Sequence, residues 1–132
     1  YHARELIPDS GGPGASRGGL GQELIFEAYA PGTALKQPLV FSGAAGRMRF
    51  PPQGLGGGKP GALARISVDD KPVAPSSSPE FPFEVGEVVH LQLPGGGGRG
   101  DPTDRDPVEI DRDLKAGYIT KEGAKRDYGS KV

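Results

Sequence analysis

The 132-residue sequence contains no cysteine and no tryptophan, a single methionine and two histidines. Without cysteine there is neither a disulfide framework nor a thiolate metal site, so the stapled secreted scaffold is excluded. Charge of one sign is missing as well. The 16 Lys and Arg stand against 17 Asp and Glu, a formal net charge of −1, leaving no basic excess to neutralise a nucleic-acid backbone. No apolar run approaches the ~20 residues that cross a bilayer, and no basic stretch leads into an apolar one as a leader would. The expectation is a cytoplasmic chain, contacting neither nucleic acid nor membrane, long enough for one modest domain with a single core.

Glycine and proline are abundant instead, 23 and 14 residues, together more than a quarter of the chain. Such a share borders on the composition of unpatterned, disordered chains. Here, however, strand-like segments separate the glycines. We read a loop-rich β domain that leans on a partner, with partial disorder in isolation as the compositional alternative.

Along the chain, residues 1–8 read as a short strand ending at Pro8, and DSGGPGASRGGLG (9–21) as a tightly folded glycine loop. QELIFEAYA (22–30) alternates with the period of a strand, and PGT (31–33) turns the chain. Two short strands, 39–42 and 47–50, are expected to form a hairpin through small residues. QGLGGGKPG (53–61) is a second glycine loop, and ALARISVDD (62–70) a further strand. SSSP (76–79) is loop, and EVGEVVHLQLP (84–94) is the last strand, with Val89, Leu91 and Leu93 on one face and Val88, His90 and Gln92 on the other. PGGGG (94–98) follows it directly. Beyond residue 100 the pattern becomes helical. Asp106 is placed as an N-cap, Pro107 at N1 and Gly117 as a C′ stop. Thr120 caps a second helix that Gly129 ends, with Ile119 and Ala124 as a hydrophobic staple. The expected fold is therefore mainly β, sandwich- or barrel-like, with residues 1–100 as a glycine-rich β domain and 101–132 as a helical tail of the same domain.

No local motif specifies chemistry. GLGGGKP (54–60) is one residue short of the phosphate-binding loop GxxxxGK and has proline where Ser or Thr should stand. PGGGG could present amides to an anion, but a structural turn with glycines at positive φ is the stronger reading. The acidic run Asp101, Asp104, Asp106, Glu109, Asp111 and Asp113 is interrupted by Thr103 and Arg105, which breaks a calcium loop, and structural roles account for it. Two distant histidines do not make a zinc site, and a lone strand histidine such as His90 is more often packed or at an interface. Arg99-Gly100-Asp101, the adhesion tripeptide, sits between a strand and a capped helix rather than on a stapled hairpin tip, so the receptor reading fails. Arg17, Arg47 and Arg49 are the best candidates to face an anion, with ion pairs at a subunit interface as the equal alternative. With Gly95, Gly96, Gly97, Gly98 and Asp101 they are the candidate cavity or interface residues. No catalytic, cofactor-binding or metal-binding residue is assigned.

The order of four motifs is more specific than any one of them. DSGGPGASRGGLGQE (9–23), RFPPQGLGGGKPG (49–61), VVHLQLPGGGGRGDPTDRDP (88–107) and DLKAGYITKEGAKRDYG (113–129) resemble the C-terminal part of the hydantoinase B family. That family takes in the corresponding portion of 5-oxoprolinases and of acetone carboxylase-type enzymes. The chain departs from the family pattern at Arg99, where an aromatic residue is usual, and at the ending Ser130-Lys131-Val132. The resemblance implies that catalytic residues lie on sequence preceding this part. It further implies a small, non-catalytic subunit completing a hydantoinase B-like chain in an ATP-dependent ketone carboxylase of the acetophenone type. ATP and a divalent metal would then sit on partner subunits, a hydantoinase A-like and a hydantoinase B-like large chain. The alternatives are the C-terminal piece of a hydantoinase or 5-oxoprolinase that cleaves cyclic amides, and a free-standing β binding module.

Overall fold

The computed structural model describes residues 1–30, 32 and 38–129. Among these residues are seven strands: β1 Ala3–Leu6, β2 Gln22–Glu27, β3 Leu39–Ser42, β4 Arg65–Val68, β5 Lys71–Pro72, β6 Glu80–Phe83 and β7 Val88–Gln92. Two helices follow, α1 Pro107–Lys115 and α2 Lys121–Tyr128. Five strands form an antiparallel sheet in the order β1-β2-β7-β4-β5, while β3 and β6 pair separately. Strand alternation then sorts the residues. Val89 lies opposite Phe26 and Val68, and Leu91 opposite Leu24 and Ile66, which gives one apolar face. Glu23, Ile25, Ser67, His90 and Gln92 occupy the other. The β3–β6 pair brings Phe41 opposite Phe81, their rings stacked 4.9 Å apart, and both pack against the cluster of Met48, Ala64 and Ile66. The arrangement is sandwich-like, and among the described residues neither sheet closes into a barrel.

Two expectations are corrected. Residues 47–50 do not form a strand. Gly46–Met48 is a single 3₁₀ turn that drives Met48 into the core, because apolar anchorage of that one side chain outweighs a four-residue β pattern. The partner of β3 is consequently the distant β6, in a segment whose Pro79 and Pro82 disguise it. Proline is tolerated there because β6 lies at the edge of a two-stranded ribbon. The expected turn at 31–33 and the ending 130–132 fall wholly or partly outside the described residues.

The glycine loops are corrected more deeply. Gly95, Gly96, Gly97 and Gly98 have no positive φ, so backbone handedness is not their purpose. Their segment runs through the middle of four others. Gly96 donates to the Gly19 carbonyl at 2.9 Å and accepts from the Gly12 amide at 2.8 Å. Gly98 donates to Lys59 at 2.9 Å and accepts from Leu55 at 2.9 Å. The outer segments bond one another too, Gly18 to Gly12, Lys59 to Pro13 and Gly61 to Pro52. A Cβ added at Gly95 would strike the Ser10 carbonyl, one at Gly96 would approach Gly19, and one at Gly97 would strike the Gln53 carbonyl. At Gly98 the direction returns to the first neighbour, at the Pro13 carbonyl. This return after three residues is the period of polyproline II geometry, here with backbone on every side, which bars a side chain at Gly95, Gly97 and Gly98 and leaves only a tight fit at Gly96. The layer is a second core built from backbone, and Ser10, Gly11, Gly12, Gly18, Gly61, Gly95 and Gly98 are all buried.

Both helices are capped as their sequences predict. The Asp106 carboxylate accepts from the Val108 amide at 2.9 Å, Pro107 occupies N1, and Gly117 has φ 73°. Thr120 Oγ1 accepts from the Gly123 amide at 2.9 Å, and Ile119 and Ala124 are buried in one cluster with Ile110 and Tyr128. A tertiary contact strengthens this cap. The Asp9 carboxylate accepts from the Thr120 amide at 2.8 Å and from its hydroxyl at 2.7 Å, while the Asp9 amide donates to the Tyr118 carbonyl. Asp9 thus ties α2 to the first glycine segment. Thr120→Ala removes both hydroxyl bonds and is expected to cost about 1–2 kcal/mol, read as a lower urea midpoint at unchanged slope.

Candidate functional site: a buried carboxylate between two arginines

Among the described residues, the most buried charges meet where α1 crosses the glycine layer. Asp113 follows Ile110 by three residues, which places both on the inward side of α1. Its carboxylate receives Nε of Arg17 at 2.9 Å and an Nη of Arg105 at 2.6 Å. Asp113 and Arg105 are nearly inaccessible, at 2% and 4% exposure. Arg17 also donates to its neighbour's carbonyl at Gly18, and Arg105 to the Ala15 carbonyl at 3.2 Å. An aromatic ring backs each guanidinium. Arg17 lies 5.6 Å from the centre of Tyr118, and Arg105 lies 5.6 Å from that of Tyr128. Burial disfavours the charge on Asp113. Hydrogen bonding and charge from Arg17, joined by the charge of Arg105, outweigh it and hold the carboxyl below its ordinary pKa. Burial likewise pushes the Tyr128 phenol up. Chemically, this is a closed ion triad that fastens the helices to the glycine layer.

The candidates named from sequence do not gather into one site. Arg17 joins the triad, pairing with Asp113 within the chain. Arg47 and Arg49 are exposed at the 3₁₀ turn. Gly95 to Gly98 are enclosed by backbone, and their amides and carbonyls serve the layer. Asp101 caps the turn Pro102–Asp104, accepting from the Thr103 amide at 2.8 Å and hydroxyl at 2.7 Å, bonds that lower its pKa. The adhesion tripeptide is tied down as well, since Arg99 exchanges two backbone bonds with Ser16 and Gly100 turns at φ 74°.

Sequence reasoning missed Asp113, Arg105 and Asp9. Solvent-facing helix-start charge explains Asp106 and Glu109 in the acidic run but not Asp113. The available signal was its helical spacing from Ile110. On the polar face of the large sheet, His90 Nε2 and Glu23 Oε1 stand 2.5 Å apart, with Gln92 3.4 Å from the same oxygen. Among the described residues, no three His, Asp or Glu side chains gather where they could hold a metal ion, and no helix is long and apolar enough to cross a membrane.

Comparison with known proteins extends this geometry. Residues 1–102 match the family described as Hydantoinase B/oxoprolinase. The B-type subunit of a putative D-/L-hydantoinase from a Pseudomonas species is 32% identical over 95% of this chain and 21% of that protein. The acetophenone carboxylase delta subunit of Aromatoleum aromaticum is 30% identical over 91% of this chain and 22% of its own length. The solved nucleotide-free structure of acetone carboxylase superposes on 98% of this chain and 21% of that one, with a TM-score of 0.75 at 23% identity, a likeness of fold. The chain thus spans about a fifth of the length of these relatives.

Proposed function

Because the chain belongs to the hydantoinase B/oxoprolinase family, we propose that it is a non-catalytic framework subunit that completes a hydantoinase B-like chain in an ATP-dependent ketone carboxylase of the acetophenone type. The observation that supports the framework role is how fully the chain's buried polar groups engage one another. Asp113 binds both arginines, and the glycine amides bind neighbouring carbonyls. Such an interior transmits rigidity, and the groups that touch substrate then belong to the rest of the assembly. The relative named acetophenone carboxylase delta subunit supports the ketone side. ATP and a divalent metal are assigned to partner subunits, one hydantoinase A-like and one hydantoinase B-like, in the cytoplasm.

A second reading, cleavage of a cyclic amide, is favoured by the relative named as part of a hydantoinase. Native mass spectrometry of the tagged chain, purified gently from its source, tests the assembly, and activity of the same sample separates the chemistries. Bicarbonate-dependent ATP turnover with an aryl ketone is expected. Turnover with a hydantoin or lactam and without bicarbonate would select the second reading. A compact monomer arriving alone would overturn both and leave a binding module.

A further inference from the structure

The apolar face of the large sheet does not end with β7. Leu93 continues the inward alternation of Val89 and Leu91 one step past the strand, yet it is 41% exposed. Two concavities meet on it. One, of about 270 Å³, is lined by Ile7, Pro8, Leu63 and Leu93 and, on its polar side, by Asp9 and Ser10. The other, of about 90 Å³, is a mainly apolar slot beside Phe41, Ala45 and Pro79. Leu63 on the rim is 38% exposed, and Arg65 and Gln92 border both hollows. The result is a groove that is apolar at its Leu93 saddle and polar at its margin, where Arg65, Gln92 and Asp9 stand.

We propose that this groove seats an extended segment of the hydantoinase B-type core, meaning B-type sequence outside residues 1–132. An aliphatic or aromatic side chain would lie over Leu93, and a carboxylate or carbonyl would face Arg65. The inference rests on the framework reading of the chain. The occupant is chosen because the relatives carry this segment as only 21% and 22% of one longer polypeptide, so most of a B-type fold is available to cover it. The groove also prolongs a sheet face that the chain itself buries only partly, and covering it is favoured in proportion to the apolar area removed from water.

The absence of cysteine makes the test clean. Leu93→Cys and Leu63→Cys report on the groove, and Tyr29→Cys, 82% exposed beyond the opposite end of β2, is the reference. Maleimide labelling is followed in the assembled protein. The thiols at 93 and 63 should react at least tenfold more slowly than the thiol at 29. Leu93→Asp should lose the B-type core in native mass spectrometry, while Tyr29→Asp keeps it. Should Leu93→Asp not fold, the labelling rates alone decide. Equal labelling at 93 and 29 with the B-type core present overturns the groove and leaves the framework reading standing. Protection that instead follows the concentration of the chain alone also overturns it, in favour of a second copy. A preparation holding no B-type core removes the framework reading and the groove with it.

Discussion

Gly98→Ala, or Gly95→Ala, is expected to abolish the native fold of the glycine layer, whereas Gly19→Ala should be neutral or slightly stabilising. At positions 95 and 98 the new methyl group would overlap the backbone of Ser10 and Pro13, which the surrounding hydrogen bonds hold in place. Overpacking commonly costs about 1–3 kcal/mol, and rigid backbone on the receiving side puts this case at the upper end or beyond. At Gly19 nothing lies within 4 Å of the added carbon and φ is not positive. There the reduced freedom of the unfolded chain should add about 0.4–1 kcal/mol. Urea denaturation of the three variants, followed by far-UV circular dichroism, reads the contrast. Similar midpoints for Gly19→Ala and Gly98→Ala would refute the close-packed layer.

The second large effect is expected at Asp113. Its replacement by alanine leaves Arg17 and Arg105 facing each other across the space of a lost carboxylate, with Arg105 nearly inaccessible. Removing one member of a buried ion group costs about 3–5 kcal/mol, because the remaining charges stay buried. Asp111→Ala serves as the control. Its pair with Lys115 is exposed on the same helix and is worth no more than about 0.5 kcal/mol. Hydrogen exchange should show α1 and α2 losing protection together in Asp113→Ala, because the triad and Asp9 fasten both helices to one layer. Loss confined to α1 would mean that the Asp9 clasp holds α2 independently.

Acid should act on the same carboxylate. The Asp113 pKa is lower in the folded chain than unfolded, so the folded state binds the proton less readily. Its contribution is therefore present above the unfolded value, about 3.9, and is lost as pH falls through the folded one. Stability between pH 5 and 2.5 should fall more steeply in the native sequence than in Asp113→Asn, measured as urea midpoints across that range. Parallel slopes would show that other carboxylates govern acid unfolding.

Local grammar was legible where neighbours in sequence are neighbours in space. Asp106, Pro107 and Gly117 bounded α1, Thr120 and Gly129 bounded α2, and the Ile119–Ala124 staple formed, since each rests on contacts within one or two turns. Alternation likewise assigned the faces of β7. The family, too, followed from the order of four motifs. Tertiary structure decided the rest. It paired β3 with the distant β6, Ser42 lying opposite Glu80, and turned residues 46–48 into an anchor for Met48. It also set Asp113 between arginines 96 and 8 residues away. The glycines show the division most plainly. Sequence announces that no side chain is wanted at residues 95–98, but a missing Cβ is equally compatible with a left-handed turn and with crowding by neighbours. Only the position of the other four segments, which close on that stretch from every direction, determines that crowding is the reason.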